Sequence, residues 1–103
     1  MFKDFNNFLE EISIEYADCE LEETYIHNVN DTIIGMQLCY YSEYCRELLI
    51  EIMPCSMDDV RIYVETNMGD YADKIFDSIE SALSELKKYN FEFKKLDFKL
   101  VKQ

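Results

Sequence analysis

Glu47-Leu48-Leu49-Ile50-Glu51-Ile52-Met53 and Val60-Arg61-Ile62-Tyr63-Val64-Glu65-Thr66 decide how this chain folds. In the second stretch Val60, Ile62 and Val64 alternate with Arg61, Tyr63 and Glu65. A two-residue period places apolar side chains on one side of a strand and polar ones on the other. In the first, Leu48, Ile50 and Ile52 alternate with Glu47, Leu49 and Glu51. A helix over residues 42–53 is the rival reading, since Glu, Leu and Arg favour helices. The alternation decides for a strand, which Pro54 is expected to end.

Working towards the N-terminus, residues 32–41 are nearly apolar throughout, as a central strand can be. Asn30-Asp31 reads as the turn before it. In residues 20–29, Leu21, Tyr25, His27 and Val29 share one face of a strand, and Glu20, Glu22, Thr24 and Asn28 the other. Glu23 and Ile26 break that alternation. Phe2, Phe5, Phe8, Leu9, Ile12 and Tyr16 recur at three- and four-residue steps, predicting a helix over 2–16 with Glu10, Glu11 and Glu15 on its outer side.

Towards the C-terminus, Ile75, Phe76, Ile79, Ala82, Leu83 and Leu86 predict a helix over 71–89. Asp70 would cap it, Asp73 would lie in its first turn, Lys87 and Lys88 in its last, and Asn90 would stop it. Phe91, Phe93, Phe98 and Leu100 suggest a final strand over 91–101, bulged at Lys94-Lys95. The expected order is α-β-β-β-β-α-β. This is an α+β fold: one compact domain, residues 1–103, with an antiparallel sheet of four to five strands packed by an N-terminal and a C-terminal helix.

The 103 residues suit one domain. A chain of this length buries about two-thirds of its unfolded surface, and 49% apolar residues argue against wholesale disorder. With 22 acids against 10 bases, the net charge is −12, and the pI is about 4.3. Direct binding to nucleic-acid phosphates or to an anionic membrane needs the opposite charge. The N-terminal residues lack the basic-then-apolar pattern of a secretory signal, and no apolar run approaches the ~20 residues of a membrane span. A cytoplasmic location is expected, with the thiols reduced.

Motifs for chemistry are sparse. Cys19, Cys39, Cys45 and Cys55 lack the short spacing with which two thiolates grip one zinc, so no metal is expected. Cys39 reads as core packing. His27, the single histidine, lacks the partners of a nucleophilic constellation. Asp58-Asp59 and Asp70, Asp73 and Asp77 do not follow the alternating loop of a calcium site. Gly35 and Gly69 are too far apart for a phosphate loop. No cofactor and no enzymatic activity are expected.

Charge is the least ordinary feature. Nine acids and no Lys or Arg occupy residues 4–31. Residues 1–73 hold 17 acids and 3 bases, whereas residues 74–103 hold 5 acids and 7 bases. Solubility of a small domain needs a net charge of only about 2–8, and the excess costs stability by self-repulsion. A use for the charge is therefore expected. The candidate partner-binding residues are Glu10, Glu11, Glu15, Asp18, Glu20, Glu22 and Glu23, with Asp58 and Asp59 behind them. Carboxylates in rows imitate phosphates and draw in Arg and Lys. Clustered tyrosines, Tyr40, Tyr41 and Tyr44, and Tyr63 on the polar side of its strand suit an interface.

In size, charge and expected architecture the chain is similar to phage-encoded anti-CRISPR and anti-restriction proteins, and to bacterial immunity proteins that neutralise nuclease toxins. That likeness implies a non-enzymatic inhibitor, a DNA mimic in style. Its partner would be a basic protein, a nuclease or another nucleic-acid-binding effector. A self-associating module, dimerising through an edge strand such as 91–101, is the alternative.

Overall fold

The computed structural model describes residues 2–91. In chain order the elements are α1 (Phe5–Glu15), β1 (Glu20–His27), β2 (Ile33–Tyr41), β3 (Arg46–Ser56), β4 (Asp59–Thr66), β5 (Tyr71–Phe76) and α2 (Ile79–Lys88). The strands form one five-stranded sheet in the order β1-β2-β3-β4-β5, every neighbouring pair antiparallel. The fold is α+β, as the two alternating stretches imply.

Both helices pack on one side of the sheet. Phe5, Phe8, Leu9 and Ile12 of α1 and Ala82, Leu83 and Leu86 of α2 join a single core. From the strands come Met36, Leu38, Tyr40, Leu48, Ile50, Ile52, Val60, Ile62, Val64 and Ala72. Directly opposed residues of an antiparallel ladder point to the same face. The pairs Met36–Ile52, Leu38–Ile50, Ile50–Val64 and Val64–Ala72 therefore set the apolar alternation of four strands in register.

The first helix is shorter than 2–16. Asp4 caps it by accepting from the Asn7 N–H at 3.1 Å. Phe2 instead forms a parallel bridge with Tyr71, and the Lys3 N–H donates to the Tyr71 carbonyl at 3.0 Å.

The expected helix over 71–89 is half strand. Tyr71–Phe76 pairs with β4, and Ser78, not Asp70, is the helix cap, accepting from the Ser81 N–H at 3.1 Å. The turn at Asn67–Asp70 explains this. Gly69 adopts φ +88, which glycine tolerates without strain, and the Thr66 N–H reaches the Asp70 carbonyl at 2.8 Å. Chain reversal there lets residues 71–76 satisfy the second edge of β4 before helix starts. Ile75, expected in the buried stripe, is 62% exposed. The far end of α2 follows expectation. Asn90 takes φ 65, and Asn90 and Phe91 donate back to Lys87 and Leu86 at 3.1 and 3.3 Å, closing a Schellman motif. The fifth strand is thus 71–76; the strand expected over 91–101 lies beyond the described residues, apart from Phe91, which is in no strand.

Pro54 does not end β3. It lies opposite Val60, past the last pairing of β3 with β2 at Met36–Ile52. There β3 has a neighbour on one side only, so the missing N–H disrupts no ladder. Gly35 is needed nearby for close approach. A Cβ at that position would stand 2.5 Å from the Ile52 carbonyl oxygen.

Candidate protein-binding face

The second side of the sheet carries neither helix. The ladder aligns its side chains in rows. Glu22, Cys39, Leu49, Glu65 and Tyr71 form one row across all five strands. Thr24, Gln37, Glu51, Tyr63 and Asp73 form the next. Met53, Arg61 and Ile75 follow on β3 to β5, and Glu20 faces Tyr41 on the opposite flank. At the centre Cys39 and Leu49 are buried although no helix covers them, so the larger side chains around them close over.

Glu20, Glu22, Glu51, Glu65 and Asp73 project from this face, and Asp59, the first residue of β4, alternates onto the same side at the hairpin end. Two arginines share the face, Arg61 on β4 and Arg46 opposite Tyr41 at its end. Both Nε and Nη2 of Arg61 donate to Asp73 Oδ2, at 2.9 and 2.6 Å, and its guanidinium lies over the Tyr63 ring, 5.2 Å from the centroid. Tyr63 and Tyr71 lie side by side, ring centroids 6.3 Å apart, and Phe2 meets Tyr71 edge-on at 6.0 Å. Burial, then the charge of Glu65, pushes the Tyr63 hydroxyl above the usual tyrosine range, with Arg61 opposing.

The lysines of the described residues are on the helix side. Lys3 lies over the Phe8 ring and pairs with Glu11 at 3.3 Å. Lys74 lies over Phe76 and approaches Glu85 at 3.9 Å. Lys88 pairs with Glu85 at 3.0 Å, and Lys87 belongs to the same helix.

The structure distributes the acids expected to form one face. Glu10, Glu11 and Glu15 project from the exposed side of α1, away from the sheet. Asp18 lies in the turn after α1. Glu20 and Glu22 belong to the helix-free face. Glu23 points to the helix side and accepts from the Tyr25 hydroxyl at 2.9 Å, which accounts for its break in the alternation. Asp58 and Asp59 lie at the β3–β4 hairpin, the end of the sheet opposite Glu20. Glu51, Glu65 and Asp73, which share the helix-free face, are not among the partner-binding residues the sequence singled out. The strand alternation already placed Glu51 and Glu65 opposite the core; the helical reading of 71–89 hid Asp73.

Other candidate chemistry is dispersed. His27 is the exposed last residue of β1. Cys39 is buried on the helix-free face and not in the main core; Cys45 and Cys55 are exposed, and all four thiols are free. Among the described residues no three Cys, His, Asp or Glu side chains are grouped as a metal would need. A groove of about 470 Å³ runs between the end of α1 and β1, lined by Ile12, Tyr16, Cys19, Leu21, Tyr40 and Phe91 among others. Burial, then Glu47 and Asp18, pushes the Cys19 thiol up, away from the reactive thiolate. No described helix is long and apolar enough to cross a membrane. No family model, curated protein or solved structure matches the chain.

Proposed function

We propose that this chain is a non-enzymatic protein-binding antagonist that lays the helix-free face of its sheet against a basic, nucleic-acid-handling surface of another protein. Segregation of charge supports this most directly. Glu20, Glu22, Glu51 and Glu65 form no ion pair within the described residues, whereas lysines on the helix side are drawn into pairs with Glu11, Asp70 and Glu85. Carboxylates left uncompensated on a rigid sheet cost stability by repulsion and are positioned to meet cations from outside. Rows of them at strand spacing present the repeated negative charge that a nuclease groove accepts from nucleic acid. A phage-type antagonist and an immunity protein against a nuclease toxin would use the same contact.

The test is affinity capture from source-cell lysate, at low salt and at about 1 M, where charge attraction is screened beyond roughly 3 Å. A Glu22→Lys/Glu51→Lys/Glu65→Lys variant is set beside a Glu10→Lys/Glu11→Lys/Glu15→Lys variant. A basic nuclease retained by the second variant, and lost by the first and at high salt, is the expected result. Capture that survives the first variant but not the second would move the contact to α1.

A further inference from the structure

We infer, on the footing that this face meets a basic protein, that it selects arginine over lysine, seating a partner guanidinium against Tyr63 and Tyr71 between the carboxylates of Glu51 and Glu65. The seat is built by register. Glu65 stands directly opposite Tyr71, and Tyr63 directly opposite both Glu51 and Asp73. Opposed residues on one face hold their Cβ atoms about 5 Å apart, so each ring has a carboxylate at its side. A guanidinium is planar and weakly hydrated. It can lie on a ring face while its N–H groups reach a carboxylate in its own plane. An ammonium is a hydrated point charge and gains less from that combination.

The chain's own Arg61 already adopts the arrangement. It lies over Tyr63 while two of its N–H groups engage one Asp73 oxygen. Arg61 and Asp73 thereby satisfy one another, whereas Glu51 and Glu65 are in no ion pair among the described residues and offer their charge to a second guanidinium. Tyr71 is 39% exposed, leaving ring surface for contact, and Phe2 braces it from the side. The Gln37 Nε2 donates to Glu51 Oε2 at 3.1 Å, holding that carboxylate in place with its other oxygen outside this bond. Among the described residues the cation–ring contacts of the helix side are lysine over phenylalanine.

Oligoarginine and oligolysine peptides of equal length, titrated into the isotope-labelled full chain at about 0.15 M salt and followed by amide NMR, test this. Oligoarginine should bind about threefold or more tightly, with shifts centred on Tyr63, Glu65, Tyr71 and Glu51. Tyr71→Leu should erase the preference while retaining the charge-driven part of the affinity. Glu65→Gln should weaken oligoarginine more than oligolysine, and each variant's amide spectrum reports whether it is folded. Equal affinity of the two peptides, with shifts still on this face, would overturn arginine selection and leave the binding face standing. Shifts confined to α1, or no binding of either peptide, would overturn both.

Discussion

The two sides of the sheet are made by the same strands and obey different rules. On the helix side Met36, Leu38, Ile50, Ile52, Ile62 and Val64 are fully buried. The lysines there pair with nearby acids: Glu85, its side chain 11% exposed, is held by Lys88, Lys74 and Asn6. On the other side tyrosines and carboxylates alternate, and Arg61–Asp73 is the one ion pair among its described residues. A sheet with one covered face separates two tasks that compete within a core. One face holds the fold together by burial. The other is released from packing and can carry charge at odds with stability.

Neighbouring residues offer the sharpest way to break this contrast. Ile50 and Glu51 adjoin in β3 and point to opposite sides. Ile50→Ala should cost about 2–5 kcal/mol, the loss of transfer energy plus a cavity. Glu51→Ala should fall within about 0.5 kcal/mol, as an outward substitution does. Urea unfolding of both variants measures the difference, and comparable losses would mean that the second face is packed too.

Gly35 sharpens the contrast from the other direction, because its missing side chain belongs to the open side yet is required by the sheet. Gly35→Ala brings Cβ against the Ile52 carbonyl and should cost about 1–3 kcal/mol, read as a lowered thermal midpoint. A neutral result would show that β2 and β3 can separate there without loss.

Charge on the covered side supplies the smallest of the three effects. The Lys88 hydrogen bond, chiefly, holds the Glu85 carboxyl below the usual carboxylate range; burial opposes it, and the Asn6 hydrogen bond and the Lys88 and Lys74 charges add to it. A folded-state value below the unfolded one contributes stability above the unfolded value, and that contribution fades as pH falls through the folded value. Glu85→Gln should therefore cost about 1–2 kcal/mol near neutrality, with the gap from the parent chain narrowing in acid. Asp73→Asn, breaking the exposed Arg61 pair, should cost less than about 1 kcal/mol. Denaturant titrations of both at neutral and acid pH distinguish them; a Glu85 effect independent of pH would assign its role to shape and not charge.

Much of the fold was legible because it rests on local periods. The alternation in Leu48–Ile52 and Val60–Val64, the three- and four-residue spacing from Phe5 to Ile12, and the stop at Asn90 are properties of a few neighbouring residues. Residues 71–76 were misread because Ile75 and Phe76 fit the helical stripe of Ile79, Ala82, Leu83 and Leu86 as well as a strand. Only the need of β4 for a partner resolves that overlap. Of the candidate site, Glu20 and Glu22 were legible as outward strand residues. Their grouping with Glu51, Glu65, Asp73, Tyr63 and Tyr71 depends on register between segments far apart in sequence.

Composition and spacing by themselves determined an acidic α+β chain with alternating strands, because charge is a sum over residues and amphipathicity a property of neighbours. Which acids stand together was decided by the tertiary structure alone. The run from Glu10 to Glu23 is continuous in sequence, yet α1 and β1 send its members to opposite sides of the sheet. The physical reason is the core itself: once Phe8, Leu9 and Ile12 join Met36, Leu38 and Ile50 in one core, the outer side of the helix and the bare side of the sheet must face away from each other.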